Sequence, residues 1–133
     1  MNGSQIKVVI DTNVLFMSIY DRNNKAGKII DAAINNKIQL FSPDSVKTEL
    51  ERVLKRELSF SQEEIKETFE ALPVTWVEKT IYEEKIKETK VKHKPDKPIE
   101  ALSIVLGCDI LSADAHFKNR LDINNLLKEL EEI

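Results

Sequence analysis

The scarcities in this chain narrow its class. A single cysteine, Cys108, allows no internal disulfide and no sulfur-rich metal site, so stability rests on a hydrophobic core and the chain suits a reducing compartment. Three glycines and four prolines among 133 residues argue against a long disordered stretch, and no repeat or low-complexity segment is present. No apolar run approaches the roughly eighteen residues that cross a bilayer, and the first residues lack the basic-then-apolar order of a secretory signal. A cytoplasmic protein with no membrane partner is expected. Positive charge is not in excess either: the net charge is −3, so nucleic-acid binding has to rest on a local basic patch.

The remainder is globular in character, 41% hydrophobic and 32% charged, in a length that buries about two thirds of its unfolded surface. One domain over 1–133 is expected. Its organising stretch is IKVVIDTN, a buried strand that ends on Asp11 with no spacer. In open parallel sheets, ligands gather outside the carboxyl ends of the strands, so Asp11 should line a cleft. Thr12 and Asn13 are expected to N-cap the following helix and to hydrogen-bond a carboxylate or its water. Taken alone, Asp11 reads equally well as an acid favoured at a helix start.

Hydrophobic periodicity then alternates. A helix is expected over 25–35, a strand over 37–42, and a helix over 43–58 opened by Ser42-Pro43-Asp44, with Ser42 as cap and Pro43 in the first turn. Ser61 and Glu64 form a capping box ahead of an amphipathic helix stopped by Pro73. A strand follows over 74–77, with Trp76 as core or interface anchor, and then a charged helix over 81–90. Pro95 and Pro98 bracket a lysine-rich loop, Pro98 opens a helix over 99–106 ended by Gly107, and 108–112 reads as a buried strand. A short edge strand over 119–123 and an amphipathic helix from 125 onward close the chain. The alternation predicts an α/β fold, a three-layer α/β/α sandwich around a mainly parallel central sheet.

Four acids share one description. Asp11 and Asp114 stand at strand carboxyl ends, Asp96 at a helix start, and Glu49 on the inward flank of the Val46, Leu50, Val53 and Leu54 stripe. Glu49 can also snorkel, or pair with Arg52 or Arg56 on a solvated edge. Carboxylates drawn together cannot all ionise unless a cation neutralises them. Oxygen-only ligands suit Mg²⁺ or Mn²⁺ rather than zinc, and such ions serve phosphodiester hydrolysis.

With these pieces assembled the chain resembles the PIN-domain ribonucleases, and within them the small archaeal-type, VapC toxin-like members. The matching segments are the strand with Asp11-Thr12-Asn13, SPDSVKTEL with Glu49, and PDKPIEALSIVLGCDILSADAHF with Asp96 and Asp114. The resemblance implies a Mg²⁺- or Mn²⁺-dependent nuclease that cuts single-stranded RNA. Its catalytic and metal-holding acids are then Asp11, Glu49, Asp96 and Asp114, supported by Asn13, Thr12 and Ser112. Glu100, one turn beyond Asp96, is the alternative acid near that helix. His116 stands where many relatives carry a further acid, and reads as a phosphate contact or a surface residue; His93 is read in the same way. Lys92, Lys94 and Lys97, with Lys90, Lys118 and Arg120, offer a rim for the RNA backbone or a solvated loop. The resemblance also implies a homodimer and a small antitoxin protein as partner in a toxin-antitoxin pair; it does not locate the dimer surface, for which Trp76 and the sparse apolar face of 81–90 are the first candidates. Other readings are ribosomal RNA maturation, a PIN-like domain that binds RNA without cutting, and a receiver-type phosphoacceptor domain. The last should carry paired acids after its first strand, whereas Asp11 stands alone.

Overall fold

The computed structural model describes residues 6–114 and 117–131. Ile6–Ile10 forms β1, the centre of a five-stranded sheet. Ile38–Pro43 (β2) lies parallel to it on one side, Ile6 opposite Ile38 and Val9 opposite Phe41. Asp109–Leu111 (β4) lies parallel on the other side, Val8 opposite Asp109 and Ile10 opposite Leu111. Val74–Val77 (β3) pairs with β2 at one edge and Arg120–Leu121 (β5) with β4 at the other, again in parallel. The order β3-β2-β1-β4-β5 runs outward from β1 and then returns to its opposite flank. The direction of winding therefore reverses between β1 and β4, and that is where such sheets open a crevice for ligands.

Helices Thr12–Tyr20 (α1), Lys25–Ile34 (α2), Asp44–Leu58 (α3), Gln62–Ala71 (α4), Lys79–Tyr82 (α5), Lys97–Leu106 (α6) and Ile123–Glu131 (α7) flank the sheet. The arrangement is the expected α/β architecture of helices around a parallel sheet. Val8, Val9, Ile10, Leu40, Ile110 and Leu111 fill it from the strands, and Leu15, Ile29, Ile30, Leu50, Leu54 and Leu102 close over them from the helices. α4 starts on the anticipated capping box, with the Ser61 hydroxyl accepting from the Glu64 amide and the Glu64 carboxylate from the Ser61 amide. α6 ends at Gly107 in a left-handed conformation (φ 64°), which suits a residue without a Cβ. No described helix is long and apolar enough to cross a membrane.

Two segments differ from expectation. Ser42 and Pro43 belong to β2 rather than to a helix start, because pairing with Trp76 and Val77 of β3 prolongs the strand through them. The buried Ser42 hydroxyl donates to the Ile10 carbonyl at 2.8 Å, and α3 begins with no side-chain cap. Asp44 instead turns outward to accept from the Lys79 amide (3.1 Å) and the Tyr82 hydroxyl (2.7 Å), tying α5 to the start of α3. The helix expected over 81–90 is replaced by the end of α5 and a 3-10 helix, Glu83–Glu88. That segment offers only Ile86 as an apolar side chain, too little for the buried stripe that stabilises a longer α-helix. Trp76 is half-buried and packs edge-on against Phe69 with ring centroids 5.8 Å apart.

Gly27 shows how tightly α1 and α2 are joined. A Cβ at this position would lie 2.0 Å from the Arg22 carbonyl oxygen, a backbone atom that cannot swing aside. Gly27→Ala is expected to destabilise the fold by about 1–3 kcal/mol, read as a lower urea midpoint at unchanged m-value.

Candidate active site

The cleft begins where β1 and β4 end. The Asp11 amide donates to the Leu111 carbonyl at 3.2 Å, so the ladder between the two strands continues one residue past β1 and fixes Asp11 above the switch point. Its side chain is divided in two. Oδ1 accepts from the Val14 amide at 3.1 Å, which makes Asp11 itself the N-cap of α1 in place of Thr12 or Asn13. Oδ2 accepts from the Ser112 hydroxyl. Ser112 follows β4 directly, is buried, and its oxygen accepts from the Asp114 amide at 2.9 Å. One hydroxyl thus links the two strand-end acids.

Displaced from the cap, Thr12 occupies the first turn of α1 and donates its hydroxyl to Oε1 of Glu49 on α3. The inward flank of α3 therefore carries Glu49 toward the strand ends, as its spacing from the apolar stripe suggests. Asp96 ends a 3-10 helix, Lys94–Asp96, and leads into α6 without capping it through its side chain. Its Oδ2 lies 3.5 Å from Nδ1 of His93.

Asp11, Glu49, Asp96 and Asp114 line a single cleft of about 320 Å³, together with Thr12 and Asn13. Val53 and Arg56 of α3, and His93, Pro95 and Ile99 from around the start of α6, complete its lining. Arg56 was not legible as part of the cleft, although its spacing of three and seven from Val53 and Glu49 places all three on one helical face. The Asp11 carboxyl is pushed above the ordinary aspartate range, chiefly by burial. Hydrogen bonds from Ser112 and Val14 pull the other way, and the charges of Asp96 and Asp114 add to the rise. Among the described residues, no three side chains of His, Cys, Asp or Glu form a cluster that could hold a metal ion. The donor set around the cleft is nonetheless carboxylate and hydroxyl oxygen without sulfur, which matches a hard divalent cation in chemistry.

Residues 7–117 match the family described as PIN domain. The chain belongs to the PIN domain family. No curated protein gives a significant match. PIN domains are generally associated with nuclease activity and with RNA, and the match sets aside the receiver-type reading.

Other residues singled out in the sequence of this PIN domain lie elsewhere. Glu100 does not line the cleft: its Oε1 accepts from the Lys90 (2.8 Å) and Val91 (3.0 Å) amides, anchoring the loop before α6. Lys97 also serves that loop, its ammonium donating to the Val91 carbonyl at 3.0 Å. Lys90 and Lys92 border a separate recess that meets the cleft only at His93, Lys94 is exposed, and Arg120 Nε donates to the Ser112 carbonyl at 2.9 Å. His116 lies outside the described residues.

The raised Asp11 pKa fixes a sign. The unfolded chain releases this proton first, so wild-type stability falls as pH rises from about 4 through the folded-state value. Asn at this position still accepts from Val14 and carries no buried charge. Asp11→Asn in EDTA is expected to melt several degrees above wild type at pH 7, with the gap closing as pH falls to about 4. Glu100→Gln separates loop anchoring from cleft chemistry: it should lower Tm through the weakened bonds to Lys90 and Val91, yet leave any Mn²⁺-induced rise in Tm at its wild-type size.

Proposed function

We propose that this PIN domain, a single unit over 1–133, is a Mg²⁺- or Mn²⁺-dependent ribonuclease that hydrolyses phosphodiester bonds of single-stranded RNA. The observation that carries the proposal is the shared cleft: four acids distant in sequence line one opening at the strand ends of a chain whose family is nuclease-associated. Asp11, Asp96, Asp114 and Glu49 would hold the cation. When bound, a divalent ion lowers the pKa of water and offsets the charge that builds on the phosphate.

The chain's own contribution is orientation. Ser112 fixes one Asp11 oxygen and, through its bond from the Asp114 amide, the backbone that carries the second strand-end acid. Thr12 holds one Glu49 oxygen so that the carboxylate keeps a single orientation above the cleft floor. Asn13, exposed at the rim, presents an amide that can donate to a phosphate oxygen. Hydrolysis in this setting is attack by water on phosphorus with loss of the 3′ oxygen, leaving a 5′ phosphate and a 3′ hydroxyl.

Toxin and RNA-processing readings share this chemistry and differ in partner. A small antitoxin protein that co-purifies and suppresses cleavage marks the first, and selective cutting of a ribosomal RNA precursor marks the second.

The test is cleavage of a labelled single-stranded RNA by purified protein. Activity is expected with Mn²⁺ or Mg²⁺ and is expected to stop in EDTA. Asp96→Asn and Asp114→Asn should each lower the rate at least about a hundredfold, the order seen when one stabiliser of the transition state is lost. Wild-type rates in both variants, at matched purity, would remove these acids from the site.

A further inference from the structure

The acidic cleft has to accept a polyanion, and its walls hold little to attract one. Among the described residues that line it, Arg56 alone carries a permanent positive charge. The lysines near the start of α6 do not substitute for it. Lys92 borders a different recess, and Lys97 is held by the Val91 carbonyl. Four carboxylates outweigh one divalent ion, so a phosphodiester entering the cleft meets residual negative charge unless a cation waits at the opening.

Arg56 has the right placement for that task. It stands two turns along α3 from Glu49, with Val53 between them on the same face, so the wall runs from the acids outward to the guanidinium. Its side chain is 62% exposed, whereas Asp11 at the cleft floor is 6% exposed. The arginine therefore reaches the mouth of the cleft and not its base. Its one ion pair among the described residues, Nε to Glu57 Oε2 at 2.9 Å, engages a single edge of the guanidinium and is solvent-exposed. Exposed pairs of this kind contribute little to stability, and a guanidinium binds phosphate better than it binds one carboxylate oxygen.

We propose that Arg56 is a substrate-binding residue that takes an RNA backbone phosphate at the mouth of the cleft, flanking the phosphate that is cut. The inference rests on the ribonuclease reading above. Arg56 holds the strand across the acids, while the reacting phosphate lies deeper.

The experiment compares wild type, Arg56→Gln, Arg56→Lys and Glu57→Gln. Binding of a fluorescent single-stranded RNA is followed by anisotropy in EDTA over a salt series, and cleavage is followed with saturating Mn²⁺. Arg56→Gln is expected to reduce the salt slope of binding by about 0.7, the value for one phosphate contact on a single strand. It is also expected to raise KM about tenfold with kcat within about twofold. Arg56→Lys should restore the slope, because the charge is kept. Glu57→Gln, which loses the same ion pair but keeps the cation, should hold the wild-type slope, and circular-dichroism melts should agree across the set.

A wild-type slope and KM in Arg56→Gln would overturn the proposal while leaving the ribonuclease reading intact. Loss of kcat at unchanged KM would also overturn it, since that pattern belongs to a group acting on the reacting atoms. A wild-type protein that neither binds nor cuts RNA would overturn the parent reading and this inference with it.

Discussion

Everything in the cleft depends on how one buried carboxylate divides its two oxygens. Asp11 gives one to the first turn of α1 and the other to Ser112 beyond β4. The first bond aligns a helix with the strand that precedes it; the second joins that unit to a strand reached only after the chain has built the other half of the sheet. Neither bond neutralises the charge, and burial holds the carboxyl above its ordinary range. The fold thus retains an acid that is costly to ionise, at the point where the sheet changes direction. Ionising such a group destabilises the native fold, a cost that a neutral side chain of the same shape would not carry.

Around this bond the remaining contacts act as orienting supports. Thr12, released from the capping role by Asp11, reaches α3 and steadies Glu49. Asp44, which looks in the sequence like an early helical acid, ties α5 to α3 through the Lys79 amide and Tyr82. Glu100 and Lys97 both hold the loop that delivers Asp96. Thr12, Ser112, Glu100 and Lys97 thus each steady an acid of the cleft or the segment that carries one.

The sheet and the meeting of the four acids in one cleft were readable because each rests on a strong local pattern: a five-residue apolar strand meeting an aspartate, a helix opened by Pro98 and followed by a short strand, and a glutamate on the flank of an apolar stripe. What escaped the sequence depended on pairing between distant segments. Ser42-Pro43-Asp44 carries every local sign of a helix start, but parallel pairing with Trp76 and Val77 turns its first two residues into strand. Glu100 and Asp96 are both acids near a helix start, and only the fold shows that the amides of Lys90 and Val91 occupy the first of them. Lys97 reads as a rim cation until its ammonium is seen on a carbonyl. Arg56 escaped for a different reason. One of two arginines on a charged helix stands out only when the rest of the cleft lining is known.

The bond between Ser112 and Asp11 also orders events in time. It spans 101 positions, so the hydroxyl that completes Asp11 leaves the ribosome long after Asp11 itself. β4, which must pair with β1 before the cleft has a floor, emerges just ahead of it. A nascent chain can form β1, β2 and most of the helices and still lack Asp96, Ser112 and Asp114. Whatever chemistry the cleft performs is therefore withheld until the segment through Asp114 has been made, a delay that topology alone imposes.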